Sequence, residues 1–119
     1  MQAELAPAVV TSLSAGEPVA AAVGNTIADG IAVERPGQLP FAMIQQYVDD
    51  VVTVNEDEVQ QAIRALLQRA KLVAEGAGAA ALAVLMGQPE KLHGGRTVLV
   101  LSGGNIDLER LAAVAADPA

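Results

Sequence analysis

The segment TVLVL, residues 97–101, constrains the fold more than any other part of the sequence, because it lacks the alternation of a half-exposed strand. A strand of this kind is buried on both faces, as in a parallel sheet that is covered by helices. The segment ends at Ser102, and Gly103 and Gly104 lead into a stretch with helical character. It therefore predicts an α/β protein in which a buried strand runs through a glycine turn into a helix.

The rest of the chain alternates between strand and helix signals. Short strands are predicted at the start of the chain, next to Glu4, and at residues 51–54. Helices are predicted at residues 8–13, at residues 40–48, after Asn55, at residues 77–86 and at residues 107–115. The fourth of these is apolar nearly all round, which predicts burial on several sides. This order predicts one α/β unit over residues 1–119, with a parallel sheet covered by helices.

Two helix starts are predicted from local signals. The second helix is predicted to begin at Pro40, and Phe41, Ile44 and Val48, which recur at helical spacing, are predicted to be buried. Asn55 opens the acidic run NEDE, and Glu58 follows it at the spacing of a capping box. The run therefore indicates the start of a helix rather than a metal site.

Composition limits the possible functions. Apolar residues make up 52% of the chain and aromatic residues 2%, so the core is expected to consist of Ala, Val, Leu and Ile. A net charge of -7, with 7 scattered Lys and Arg residues, argues against a nucleic-acid surface. No apolar run has the length of a membrane span. Because the chain has no cysteine and no basic signal-peptide start, we expect a cytoplasmic protein.

The predicted end of the buried strand is a candidate ligand site. Ser102, Gly103, Gly104 and Asn105 lie there, and ligands of open parallel sheets bind beyond the carboxyl ends of the strands. The glycines permit positive φ angles and a close backbone approach to a ligand, and the following helix offers free N–H groups. A plain strand-to-helix turn, capped by Asn105 or Asp107, explains the same residues. Spacing alone leaves both interpretations open.

Other polar features also have two interpretations. The segment TIADG, residues 26–30, is either a ligand loop or a polar turn. Glu75 precedes a helix, where the helix dipole favours a carboxylate without any chemistry. His93 lies beside two glycines in an expected exposed loop, and a catalytic role is not expected. Lys71 and Lys91 are interpreted as structural.

Four segments, in this order and spacing, resemble the serine/threonine dehydratases, also called threonine ammonia-lyases, to which serine racemase is closely related. They are NTIADGIAVERPG, YVDDVVTVNEDEVQQAI, KLVAEGAGAAALAVL and VLVLSGGNIDL. The resemblance covers residues 4–111. It implies a pyridoxal-phosphate enzyme of the tryptophan-synthase-β type, fold type II, with this chain as the C-terminal portion of the catalytic domain.

The resemblance implies roles for six residues at a cofactor site. Ser102 matches the serine that hydrogen-bonds the pyridine nitrogen of pyridoxal phosphate, and Gly30 matches the glycine that packs on one face of the ring. Glu75 matches an acidic residue near the cofactor. Gly103 and Gly104 are expected to let the backbone close around the ring.

Asn105 is expected to support the same turn. Glu4 matches a carboxylate that helps to hold a divalent cation in metal-binding members of the family. Those members have a second acidic residue six positions later, where this chain has Val10.

Two family motifs do not occur within residues 1–119: the Schiff-base lysine in a Ser-Phe-Lys context and the Ser-Gly-rich phosphate loop. We therefore expect that none of these residues is catalytic and that the chain alone has no turnover. We also expect the chain to associate with itself or with a complementary chain. The complete enzyme is expected to convert an amino acid, L-threonine, to 2-oxobutanoate and ammonia. The alternative is a truncated, non-catalytic paralogue that binds a small ligand or dimerises.

Overall fold

The computed structural model describes residues 1–92 and 94–116, so that His93 lies outside the described residues. The described residues form two parallel strands and five α-helices, which confirms the predicted α/β class. The strands are Gln2–Ala3 (β1) and Thr53–Val54 (β2). The α-helices are Ala8–Ala15 (α1), Gln38–Tyr47 (α2), Glu56–Ala65 (α3), Gly76–Gly87 (α4) and Leu108–Ala116 (α5). Short turns of other helix types cover Asp29–Ile31, Leu66–Ala70 and Pro89–Lys91.

The two strands form a parallel pair. Gln2 lies opposite Thr53 and Ala3 lies opposite Val54. Parallel strands need a long crossover, and α1 and α2 lie within the connection between them. The predicted parallel sheet is therefore confirmed, although the second strand is shorter than the predicted residues 51–54.

The core lies between α3 and α4 and contains small aliphatic side chains. Val59 and Ile63 on α3 are buried against Ala79, Ala80 and Ala83 on α4. Alanine lets the two helix backbones approach closely, so a core can form with little aromatic content. Among the residues that the structure describes, no helix is both long and apolar enough to cross a membrane.

The capping box at the start of α3 is confirmed. The Asn55 side chain accepts a hydrogen bond from the Glu58 backbone N–H at 2.9 Å, and the Glu58 carboxylate accepts one from the Asn55 N–H at 2.8 Å. Both bonds satisfy N–H groups that a helix start otherwise leaves without a partner.

The prediction for α2 is partly wrong. The helix begins at Gln38 rather than at residue 40, and Phe41 is buried as predicted. Ile44 is half-buried, and Val48 is 47% exposed. Val48 has an extended backbone after the last helical residue, which moves its side chain off the apolar face of the helix.

The burial predicted for residues 97–101 is also wrong. The segment has no strand partner within the described residues, and Val98 is 88% exposed and Val100 is 70% exposed. A buried strand needs hydrogen-bonding neighbours and a covering layer on both faces. In the described part of the chain, β1 and β2 pair only with each other.

Candidate functional site

The first turn of α4 is the point where two loops meet. The first is the Thr26 loop, residues 26–30, and the second is the Ser102 turn, residues 102–105. A Cβ atom on Gly76 would lie less than 3.0 Å from the Ile27 carbonyl, and one on Gly78 less than 3.0 Å from the Gly103 carbonyl. Both loops therefore lie directly on the helix backbone, which is possible only because these positions are glycine.

Glu75 fixes the Ser102 turn to the start of α4. Its backbone N–H donates to the Gly103 carbonyl at 3.1 Å, and its carboxylate accepts the Asn105 backbone N–H at 3.0 Å. The Glu75 side chain makes no capping hydrogen bond to its own helix. The half-buried carboxylate therefore stabilises the Ser102 turn rather than the start of its own helix. Asn105 takes part in this contact through its backbone N–H and not through its side chain.

The glycines of the Ser102 turn are needed for space rather than for an unusual backbone angle. A Cβ on Gly103 would lie 2.6 Å from Glu75 Oε1, and a Cβ on Gly104 would lie 2.7 Å from the Val73 carbonyl. Neither glycine has a positive φ. The sequence predicts that these glycines let the backbone approach a ligand closely. In the structure they instead let the backbone approach the segment that precedes α4, at Val73 and Glu75.

Ser102 has a hydroxyl that is available to a ligand. The residue is exposed, and its side chain makes no hydrogen bond within the described part of the chain. The neighbouring Gly103 is held by Glu75, so the hydroxyl lies next to a fixed piece of backbone. A neutral hydroxyl in this position can donate one hydrogen bond to a ligand or accept hydrogen bonds from it.

Gly30 lies on the other side of Glu75. A Cβ on Gly30 would approach Ala77 Cβ at 3.0 Å and Glu75 Oε1 at 3.5 Å. The structure therefore brings Gly30 and Gly103 to the same carboxylate oxygen, although the two residues are far apart in the sequence. Because Gly30 is exposed and has no side chain, it offers bare backbone to a flat ligand.

The Thr26 loop is held by a residue that no sequence motif distinguishes. The Thr26 hydroxyl donates to Glu56 Oε1, and the Ile27 N–H donates to Glu56 Oε2 at 2.7 Å. The Ala28 N–H donates to the Thr26 hydroxyl at 3.1 Å. From the sequence, Glu56 is only part of the acidic start of a helix, and nothing in the spacing separates it from its acidic neighbours.

The predicted metal ligand Glu4 gains no further ligand from the described structure. Glu4 is exposed, and its backbone N–H donates to the Val54 carbonyl at 2.8 Å. Within residues 1–92 and 94–116, no three His, Cys, Asp or Glu side chains gather as a metal site would require. The assignment of Glu4 to a cation stays a prediction.

Together these contacts define a class of site: bare glycine backbone, a free neutral hydroxyl and a fixed carboxylate at the edge of an α/β fold. Family comparison gives the class a name. The family described as pyridoxal-phosphate dependent enzyme matches residues 1–103. The chain therefore belongs to the pyridoxal-phosphate dependent enzymes, and pyridoxal phosphate is the cofactor of the complete enzymes.

The chain is similar to L-threonine ammonia-lyases. It is 42% identical over 111 residues to the enzyme of Thermotoga maritima, an alignment that covers 93% of this chain and 27% of that protein. It is 49% identical over 109 residues to the enzyme of Geobacter sulfurreducens, covering 92% of this chain and 27% of that protein. The chain thus spans little more than a quarter of the length of these relatives.

The chain is also similar to parts of solved threonine deaminase structures. The T.th. threonine deaminase superimposes with a TM-score of 0.83 at 34% identity, over 90% of this chain and 36% of that chain. The processed form of threonine deaminase isoform 2 from Solanum lycopersicum superimposes with a TM-score of 0.85 at 30% identity, over 94% of this chain and 33% of that chain. The predicted fold type is therefore confirmed for a partial domain.

The residues present are chemically suited to this cofactor. A flat pyridine ring can pack closely on backbone that carries no side chain, and the exposed Gly30 offers such backbone. The ring nitrogen needs one hydrogen-bonding partner, and the exposed Ser102 hydroxyl has none within the described residues. No Lys, His or Arg contact competes for that hydroxyl in the described structure.

Proposed function

We propose that this chain is the C-terminal portion of a pyridoxal-phosphate-dependent threonine/serine dehydratase, whose complete form converts L-threonine to 2-oxobutanoate and ammonia. The observation that carries the proposal is the free Ser102 hydroxyl on a turn that Glu75 ties to α4. The similarity to enzymes named L-threonine ammonia-lyase supports the choice of substrate.

Ser102 is proposed to bind the ring nitrogen of the cofactor. When bound, pyridoxal phosphate withdraws electrons from the bonds at the substrate Cα. A neutral hydroxyl holds the nitrogen in place without adding the negative charge that would keep it protonated. Ser102 therefore limits how strongly electrons are withdrawn, which suits loss of a β-hydroxyl better than reactions that need a long-lived carbanion.

Glu75 and Gly30 are proposed to shape the wall around that contact. Glu75 accepts the Asn105 N–H and so fixes the turn that carries Ser102. Gly30 leaves space for the flat face of the ring above the first turn of α4. Neither residue is proposed to transfer a proton to the substrate.

We propose that the chain alone has no dehydratase activity. Covalent attachment of the cofactor and removal of the Cα proton both use a lysine in such enzymes. Lys71 is occupied at the end of a helical turn, where its ammonium group donates to the Gln68 carbonyl at 2.8 Å. Lys91 ends the short turn after α4. Both positions are those of structural, exposed lysines.

A hybrid enzyme tests the proposed function. This chain would replace the matching segment of the Geobacter sulfurreducens L-threonine ammonia-lyase, and 2-oxobutanoate formation from L-threonine would be measured. We expect the hybrid to bind pyridoxal phosphate and to turn over L-threonine, and we expect the 119-residue chain to show no turnover. A folded hybrid that binds the cofactor but forms no 2-oxobutanoate would overturn the dehydratase assignment.

The alternative is a non-catalytic paralogue that binds a small ligand or dimerises. The exposed apolar segment at residues 97–101 favours it, since such a surface suits a second chain. The hybrid separates the alternatives: a paralogue that has lost its role in catalysis would not restore turnover, whereas a functional C-terminal portion would.

A further inference from the structure

We propose that Glu56 is a positioning residue for the cofactor site, and that it acts by holding the Thr26 loop so that Gly30 lies against the first turn of α4. The inference rests on the proposed function, because it assigns Glu56 a role in a site that Gly30 helps to form. Glu56 itself lies on α3 and is not proposed to contact cofactor or substrate.

Both carboxylate oxygens of Glu56 bind the loop. Oε1 accepts the Thr26 hydroxyl, and Oε2 accepts the Ile27 N–H at 2.7 Å. Thr26 is only 6% exposed, and Ala28 is fully buried. Hydrogen bonds to a charged acceptor are stronger than neutral ones, and shielding from water strengthens them further. This contact is therefore a tether rather than a chance surface pair.

The tether matters because the loop has little other polar support. Its Ala28 and Asp29 carbonyls accept hydrogen bonds only from nearby residues of the same turn. The ion pair between Asp29 and Arg110 is 3.4 Å long and exposed on both sides, so it contributes little. Among the described residues, Glu56 and Arg110 are the helix side chains that bond to the loop, and only the Glu56 contact is partly buried.

The position that the tether fixes is narrow. The Ile27 carbonyl lies so close to Gly76 that a Cβ there would collide with it. A Cβ on Gly30 would be only 3.0 Å from Ala77 Cβ. A small displacement of the loop therefore changes the space above the first turn of α4, where the ring is proposed to lie.

The role is specific to Glu56 among the three acidic residues of the first turn of α3. Glu58 is committed to the capping box and accepts the Gln88 side-chain amide at 3.1 Å. Asp57 is exposed, and its side chain makes no hydrogen bond or ion pair within the described residues. Since all three carboxylates interact similarly with the helix dipole, Asp57→Ala is a matched control for Glu56→Ala.

Thr26 supplies a second matched pair. Thr26→Val keeps the shape of the side chain but removes the hydroxyl, and Thr26→Ser keeps the hydroxyl. If the tether holds the loop, Glu56→Ala and Thr26→Val weaken it, while Asp57→Ala and Thr26→Ser preserve it. Thr26→Val also keeps the test valid if Glu56→Ala fails to fold.

The first readout is amide hydrogen exchange in the full chain, measured by NMR at Ile27 and Ala28. We expect exchange at these amides to rise about tenfold or more in Glu56→Ala, as loss of a hydrogen bond to a charged group implies. Thr26→Val should raise exchange at Ala28 in the same direction. Unchanged exchange in both variants would overturn the tether.

The second readout is the dissociation constant of pyridoxal phosphate in the hybrid enzyme. Glu56→Ala and Thr26→Val should both raise it by several fold relative to their matched controls, about the effect of losing one or two buried hydrogen bonds. Faster loop exchange with an unchanged dissociation constant would overturn the positioning role. A hybrid that binds no cofactor even without substitutions would instead defeat the proposed function, and hydrogen exchange would then decide alone whether Glu56 holds the loop.

Discussion

At the scale of single residues, Glu75 makes the site possible. Its backbone and its carboxylate both bind the Ser102 turn, and the same carboxylate lies close to Gly30. A side chain at position 103 would displace this carboxylate, since a Cβ would lie 2.6 Å from Oε1. One side chain thus binds the Ser102 turn and also lies beside Gly30, which is far from that turn in the sequence.

Loss of the Glu75 carboxylate should loosen the Ser102 turn. In Glu75→Ala, we expect amide exchange at Asn105 to rise about tenfold, because a hydrogen bond to a charged acceptor is lost. NMR exchange on the full chain measures this directly. Glu90→Ala removes the same charge from an exposed position and serves as the control. Equal exchange at Asn105 in both variants would show that the carboxylate does not hold the turn.

Removal of the Ser102 hydroxyl should weaken cofactor binding. In the hybrid enzyme, Ser102→Ala is expected to raise the dissociation constant of pyridoxal phosphate about three- to tenfold, the value of one neutral hydrogen bond. Ser102→Thr keeps the hydroxyl and should restore most of the affinity. Ser14→Ala, on the outer surface of α1, controls for the loss of a serine elsewhere. An affinity unaffected by Ser102→Ala would argue against the nitrogen contact.

At the scale of elements, α4 provides the surface on which both loops lie. Gly76 and Gly78 are buried glycines within its first turn, where an exposed helix would favour alanine. Glycine lowers the intrinsic stability of the helix at these positions, but it lets the Thr26 loop and the Ser102 turn lie against the helix backbone. The adjacent alanines pack against α3 and hold the helix in place.

Gly78→Ala should destabilise the chain despite the higher helix propensity of alanine. The new methyl group would meet the backbone of Gly103, which cannot move without displacing the turn. We expect the free energy of unfolding to fall by about 1–3 kcal/mol, as for overpacked cores. Urea denaturation followed by circular dichroism measures the change.

Gly87→Ala is the matched control for Gly78→Ala, at the other end of the same helix. There the new methyl group would meet the end of the Glu58 side chain at 2.6 Å, so a side chain rather than a backbone would have to move, at the cost of the bonds that Glu58 makes to Asn55 and Gln88. The loss should therefore be smaller than for Gly78→Ala. A larger loss for Gly87→Ala would contradict the account of the first turn.

The elements show what the sequence can predict. Asn55 and Glu58 predict the start of α3 because a capping box depends only on neighbouring residues. The burial predicted for residues 97–101 is wrong, because burial of a strand depends on partners that its own sequence does not specify. The contacts of Glu56 and Glu75 escape prediction for the same reason, since each joins segments about thirty residues apart.

At the scale of the whole molecule, the chain exposes more surface than a self-contained domain. Its accessible surface is 7366 Å², whereas a globular monomer of this size exposes about 6000 Å². Residues 97–101 and the large apolar side chains of α2 contribute to the excess. This agrees with a chain that spans about a third of the structures it resembles.

The exposed segment should make the isolated chain associate. An extended apolar segment with unpaired backbone groups is a template for pairing with another chain. We expect sedimentation velocity to show oligomers that become monomeric in the double variant Val98→Lys, Val100→Lys. The matched control is Ala20→Lys, Ala22→Lys, which adds the same two positive charges at exposed positions elsewhere. If the unsubstituted chain is monomeric at the concentration used for the variants, this expectation is wrong.

A crystal structure of the hybrid enzyme with pyridoxal phosphate bound would test the proposed cofactor contact directly. We expect the Ser102 hydroxyl to lie within about 3.0 Å of the ring nitrogen, the range of a hydrogen bond. We also expect the ring to lie over Gly30 and the Asn105 N–H to remain bound to Glu75. A ring nitrogen that faces another residue, with Ser102 left in solvent, would contradict the central claim that this turn forms the wall of the cofactor site.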